Sequence, residues 1–198
     1  HLRLAVDCTH ALGAPILGGP LYQALGVFSG EAPSPQEFAR AREGLRQAAE
    51  HAGAAKVALA LEPLNRFEVH LLNGVAEAAA FVRSVHHPAL RLTYDTFHAH
   101  IEEKDPAAAI RACADVLVHV QASECDRSTP GAGQVSWAAN FSALKACDYR
   151  GRIAIEAFGQ KLPALAAATR IWRRMFTDEE QLAADGLAFL RRAWQQAG

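Results

Sequence analysis

Methionine is nearly absent from this chain: its 198 residues contain one, and position 1 is His. A chain that opens without Met is expected to be processed, trimmed or incomplete. Cysteine is sparse as well. Cys8, Cys113, Cys125 and Cys147 are far apart and form no C-x-x-C pair, so neither a disulfide framework nor a thiolate metal site is expected. Reduced thiols point to a cytoplasmic setting. Charge of either sign is not in excess. The formal net charge of −1 offers no basic footprint for nucleic acid or an acidic membrane. No apolar run reaches the ~20 residues that cross a bilayer, and no basic-then-apolar pattern opens the chain. No linker-like stretch divides it, so residues 1–198 are expected to form a single domain. What is abundant is ordinary: 51% hydrophobic and 21% charged residues suit a globular protein with a substantial core.

The pattern along the chain is an alternation of helix and strand. Leu2, Ala5, Val6, Thr9 and Leu12 recur at helical spacing, and Gly13 closes that segment. Ala14 to Gly19 reads as a short strand. Ser34-Pro35-Gln36-Glu37 carries a cap, a Pro at the first helical position and a capping-box Glu, opening a helix to about Ala52. Strands follow at Lys56–Glu62, Leu90–Asp95, Val116–Gln121 and Arg152–Glu156. Asn73 is expected to cap a helix through Val85, and Asp105-Pro106 to open another. Further helices are expected over 137–147 and after Thr177-Asp178-Glu179-Glu180. Five strands alternating with helices imply a parallel sheet with right-handed crossovers.

Four of those strands stop on a residue able to bind a metal: Glu62, Asp95, Gln121 and Glu156, spaced 26 to 35 residues apart. In a parallel α/β barrel the working residues sit at the C-terminal strand ends. The fold class expected is therefore a TIM barrel of the (β/α)8 type. A complete barrel needs roughly 250 residues, so about five C-terminal βα units fit here: either the architecture is smaller, or about three N-terminal units are missing.

Three carboxylates and an amide make an oxygen-rich site for one divalent cation, Mn²⁺ ahead of Mg²⁺ or Co²⁺. Glu62 and Glu156 can each also move a proton, one from each face of a substrate carbon. A single strand-end Glu commonly does no more than face water; the repeated pattern is what favours chemistry. On the third strand His119 competes with Gln121. Both point to one face, but Gln121 lies ~6–7 Å nearer the strand's C-terminal end, level with the carboxylates. Imidazole is nevertheless the stronger ligand, so both stay open. His98, three residues after Asp95, can reach the same cavity or be an ordinary loop histidine. Arg127 can fork onto substrate oxygens or pair at the surface with Asp126 or Glu124. Glu68 can bind hydroxyls or be a solvated loop charge.

The ordered motifs resemble the sugar isomerase/epimerase superfamily with the xylose isomerase-like barrel, and within it the ketose 3-epimerases such as D-tagatose and D-psicose 3-epimerase. The matching segments are Glu62-Pro63-Leu64-Asn65-Arg66-Phe67-Glu68, Asp95-Thr96-Phe97-His98 with Ile101-Glu102-Glu103, Glu124 and Arg127 before Pro130-Gly131-Ala132-Gly133 and Trp137, and Ile155-Glu156-Ala157-Phe158. The resemblance implies Glu62, Asp95 and Glu156 as metal ligands, Glu62 and Glu156 as the acid/base pair, and Glu68, His98 and Arg127 as holders of substrate oxygens. It implies C3 epimerisation of a free ketose through an enediolate. Where the 3-epimerases place a second His, this chain has Gln121, a choice similar to the hydroxypyruvate isomerase branch. An aldose–ketose isomerase of that type is thus an alternative, as is a shortened paralogue that binds metal or sugar without turnover. A DNA-repair nuclease of the related barrel type would need a His-rich multi-zinc site and a basic surface, both lacking. A sugar partner and a homo-oligomer, dimer or tetramer, are expected.

Overall fold

The computed structural model describes residues 1–198. Five strands hydrogen-bond in chain order, β1 to β5. The chain forms two compact units: residues 1–94 with 112–119, and residues 95–111 with 120–198.

The first unit begins with α1 (Leu2–Ala11), which ends before Gly13 at φ +70°. β1 (Ile16–Gly19) and β2 (Ala58–Leu61) pair in parallel, with Ile16 opposite Ala58 and Gly19 opposite Leu61. β3 (Leu90–Asp95) adds to β2 with Leu61 opposite Leu92. Between β1 and β2 runs α2 (Pro35–Ala54). Ser34 Oγ accepts from Glu37 N while Glu37 Oε2 accepts from Ser34 N at 2.8 Å, the reciprocal capping expected from the sequence. α2 buries Leu45, Ala48, Ala49 and Ala52, and β2 buries Leu59, Ala60 and Leu61. Small residues on the helix face let it lie close to the strands. α3 (Val75–Ser84) contributes Ala78, Ala79, Phe81 and Val82 to the same core.

The second unit holds α4 (Thr96–Glu102), most of α5 (Pro106–Cys113), the end of β4 (Leu117–Ala122), α6 (Trp137–Ala146), β5 (Arg152–Ile155), α7 (Pro163–Ala168) and α8 (Glu179–Gln196). Its core is aromatic. Trp137 stacks against Phe141 and Phe189 at centroid distances of 5.7 Å, and Phe141 against Trp194 at 5.4 Å. α8 comes close enough to its neighbours that a Cβ on Gly186 would lie 3.0 Å from Pro130 Cδ and 3.1 Å from Ile155 Cδ1.

All five expected strands form; β3 has its expected bounds and the other ends shift by at most two residues. β2 and β5 stop one residue before Glu62 and Glu156, and β4 carries on to Ala122 so that Gln121 lies inside it. Asn73 does not cap α3. Gly74 occupies the cap, and Asn73 Nδ2 donates to Leu64 O (2.7 Å) and Val69 O (3.1 Å), closing the preceding loop instead. Two helices were not expected, α4 and α7. No helix is long and apolar enough to cross a membrane, and all four cysteines are free.

Candidate active site

Asp95 ends β3 and is buried. Its Oδ1 accepts from Phe97 N at 2.6 Å, so the strand-ending aspartate also starts α4. That turn brings His98 over the strand end and buries it. Thr96 fixes the neighbouring strand: its Oγ1 donates to Ser123 O (2.7 Å) and accepts from Ser123 N (2.8 Å). Gln121 and Glu156 are joined directly, Gln121 Nε2 donating to Glu156 Oε1 at 2.7 Å. That bond fixes the amide orientation and leaves Gln121 Oε1 buried without a partner. A buried acceptor without a donor is costly, and its presence marks a place for a ligand.

Arg127 occupies the centre. The sequence left it between a substrate clamp and a surface pair with Asp126 or Glu124; the structure buries it and points it inward. Nη1 lies 3.0 Å from Asp95 Oδ2, 2.8 Å from Ser123 Oγ and 2.5 Å from Glu156 Oε2. Nη2 lies 3.0 Å from His98 Nε2. A guanidinium only donates, so His98 Nε2 is the acceptor and the ring proton sits on Nδ1. The guanidinium carbon is 3.8 Å from the Phe97 ring centroid and 5.1 Å from that of Phe158. Arg127 has a left-handed backbone (φ +62°), and its carbonyl accepts from Phe158 N at 3.0 Å.

Burial and charge set the protonation states. Burial raises the Asp95 carboxyl to about 7; Arg127 opposes this and the neighbouring Glu156 adds to it. Burial, helped by Arg127, drives His98 down to about 2, so its imidazole is neutral.

Glu124, which the sequence offered only as part of a motif or as a surface partner for Arg127, is fully buried. Its Oε1 accepts from Cys125 N and Val135 N at 3.0 Å; its Oε2 accepts from Gly131 N (2.8 Å) and Trp137 Nε1 (3.1 Å). Burial alone would raise its pKa, but these four donors outweigh it and hold the carboxyl below its ordinary value. A Cβ on Gly133 would lie 2.6 Å from Glu124 Oε1, so that close approach requires Gly. Glu124 thus folds the loop that carries Arg127.

In the first unit Glu62 is buried just past β2, its N–H donating to Gly19 O at 3.0 Å. Glu68 is half-buried and oriented by Asn65, whose Nδ2 donates to Glu68 Oε1 at 2.9 Å while Oδ1 accepts from Phe67 N at 3.0 Å. Tyr22 ties the same loop, donating to Leu72 O (3.0 Å) and accepting from Leu64 N (3.3 Å); burial raises its pKa. His119 is half-buried within β4. Thr96 and Asn65 stood in the sequence only within matched segments, with no role assigned, and Ser123 and Tyr22 were not singled out at all. Hydroxyls and amides that pin loops carry no spacing signal of their own.

The xylose isomerase-like TIM barrel family matches residues 1–193. The chain belongs to this family. It is 36% identical to the probable ketose 3-epimerase of Synechocystis sp., a match covering 98% of this chain and 68% of that protein. Its structure superposes on an L-ribulose 3-epimerase with a TM-score of 0.94 at 35% identity, covering 99% of this chain and 66% of the other. A D-allulose 3-epimerase from Methylomonas sp. in complex with D-allulose gives 0.92 at 34% identity, covering 97% and 67%. The chain therefore has a TIM-barrel fold of which it supplies five parallel strands, and it spans about two thirds of the length of these relatives. The isomerase/epimerase resemblance expected from its motifs holds, and the relatives it matches are enzymes.

Proposed function

We propose that this chain is the site-bearing part of a divalent-metal-dependent ketose 3-epimerase acting on a free sugar. The observation that carries the reading is the buried cluster at the strand ends. Asp95, Gln121 and Glu156 converge, and Gln121 Oε1 is left without a donor. Hard oxygen donors with one unsatisfied acceptor fit a divalent ion. Glu62, Asp95, Gln121 and Glu156 would hold it, Mn²⁺ ahead of Mg²⁺ or Co²⁺. When bound, the ion supplies polarisation of the ketose carbonyl and stabilises charge developing on its oxygen.

The residues then divide the work. One of Glu62 and Glu156 takes the C3 proton. The C3–H electron pair becomes the C2=C3 bond of an enediolate, and the carbonyl oxygen takes the charge. The other carboxyl returns a proton to the opposite face of C3 as the carbonyl re-forms. Two carboxyl groups on two strands suit two-faced proton transfer better than one would. Neutral His98 and Arg127 hold sugar oxygens, and Glu68, held by Asn65, accepts from a hydroxyl. The D-allulose complex of a relative supports a ketose as partner. Reduced cysteines support a cytoplasmic setting, and an apolar cleft on the second unit supports a homo-oligomer, dimer or tetramer.

Gln121 favours one second reading, a hydroxypyruvate isomerase-like aldose–ketose isomerase, because an amide at this strand end resembles that branch. One experiment separates the two. Chelator-treated protein is placed in D₂O with free ketoses and with hydroxypyruvate, with and without Mn²⁺, and followed by proton NMR. The 3-epimerase reading expects Mn²⁺-dependent deuterium uptake at C3 of a ketose, reduced by about 10³-fold or more in Glu156→Gln. Uptake confined to C1, or to hydroxypyruvate, would replace it with the isomerase. Exchange with no substrate from folded protein would leave the shortened, non-catalytic paralogue in its place.

A further inference from the structure

A metal site made of acidic groups has to be held together before the metal arrives. Asp95 and Glu156 each direct one oxygen at the same nitrogen, Arg127 Nη1, at 3.0 and 2.5 Å. That nitrogen carries two hydrogens yet faces three acceptors, since Ser123 Oγ is 2.8 Å away. The guanidinium is therefore shared among its partners and fully committed to none of them. It is held from the sides, not only by its charges: Phe97 stacks at 3.8 Å, Phe158 lies at 5.1 Å, and His98 Nε2 accepts from Nη2. Arg127 has been brought here at a backbone cost, in the left-handed region at φ +62°. Its neighbours Asp95 and Glu156 are two of the four oxygen donors assigned above.

We infer that Arg127 is a resident cation that stands in for the metal. In the metal-free protein it donates to both Asp95 and Glu156 and keeps them assembled. When a divalent ion binds the same carboxylates, Nη1 must release at least one of them, because a carboxylate oxygen facing both cations is shared between like charges. The released guanidinium stays between the two rings, with its donors free for a sugar oxygen. This couples metal loading to substrate readiness through one side chain. The inference rests on the metal-dependent reading above.

The test is metal binding, measured without turnover. Mn²⁺ is titrated by electron paramagnetic resonance or calorimetry into chelator-treated wild type, Arg127→Met and Arg127→Lys. Because a competing charge is removed, Arg127→Met is expected to bind Mn²⁺ about tenfold tighter, which is about 1.4 kcal/mol. Its metal-free form is expected to melt lower than wild type and to gain more in melting temperature from Mn²⁺. Lys restores a positive charge and is expected to return affinity toward wild type. Equal or weaker Mn²⁺ binding by Arg127→Met, with wild type binding normally, overturns the stand-in role and leaves the epimerase reading intact. Absence of Mn²⁺ binding by wild type overturns both. Should Arg127→Met fail to fold, wild type itself carries the test. Hindered Arg127 Nη signals in metal-free ¹⁵N NMR are expected to sharpen and shift on Mg²⁺ addition, and unchanged signals on saturation overturn the inference.

Discussion

Asp95 and His98 are displaced in opposite directions by the same burial, and that has a measurable consequence. Asp95 is raised from 3.8 to about 7 in the folded protein. Its contribution is therefore fully present below about 4 and lost as pH rises through about 7. His98 is lowered from 6.5 to about 2. Its neutral burial costs nothing above about 6.5, and stability is lost as pH falls below that toward about 2. Between about 4 and 6.5 the folded state binds one extra proton at Asp95 and one fewer at His98, so the two slopes cancel. Replacing either residue should unmask the other. In urea unfolding of the metal-free protein across pH 4 to 7, His98→Gln is expected to lose stability with rising pH relative to wild type. Asp95→Asn is expected to gain it over the same range. The limiting slope is about 1.4 kcal/mol per pH unit for one proton. Parallel profiles for all three proteins would mean that burial does not set these two states. The sequence made both residues visible as candidates, because Asp95-Thr96-Phe97-His98 follows an apolar strand. It could not show the opposed shifts, which arise from packing and from Arg127, a residue 29 positions after His98.

Legibility at the level of elements followed how local each signal is. Ser34-Pro35-Gln36-Glu37 foretold the start of α2 because every partner in a capping box lies within four residues. The five strands were legible from apolar runs bounded by turns. α4 was not, because its cap, Asp95, had already been assigned to the end of a strand, and one residue does both. The loop between β4 and α6 shows the limit most clearly. Its Pro130-Gly131-Ala132-Gly133 run marks a turn, but what organises it is Glu124, seven and eleven residues away from two of its donors. Substituting Gln would turn one of two acceptor oxygens into an NH₂ group facing N–H donors. Glu124→Gln is thus expected to destabilise the protein by about 2–4 kcal/mol. Because the loop carries Arg127, Mn²⁺ affinity should change in the same variant. Denaturant midpoints together with Mn²⁺ titration check this, and a loss below about 0.5 kcal/mol would show that water replaces the clamp.

At the scale of the whole chain, the outer strands call for cover. The strand order leaves β1 and β5 as the edges of the sheet, and an unpaired edge is a template for another chain. β5 shows how little covers it: Arg152 and Ala154 are exposed, Ile153 and Ile155 only half-buried. Beside it a cleft of about 850 Å³ is lined by Ile153, Ile155, Tyr149, Leu187, Leu190 and Trp194, and Leu187 is 45% exposed. Exposed apolar surface of this kind commonly buries against a partner. The barrel class was legible in the sequence because four strand ends carried the same kind of residue. What covers the cleft was not, since that depends on groups outside the segment's own pattern. This chain is expected to associate with itself. Sedimentation velocity over a hundredfold concentration range should show a mass above the monomer that rises with concentration. Leu187→Lys places a charge at the rim of the cleft on an exposed helical position, where it costs the fold little. It should shift the distribution toward monomer and lower the binding of an apolar dye. A wild-type chain that stays monomeric throughout, with no dye bound, would mean that β5 and α8 close the cleft themselves in solution.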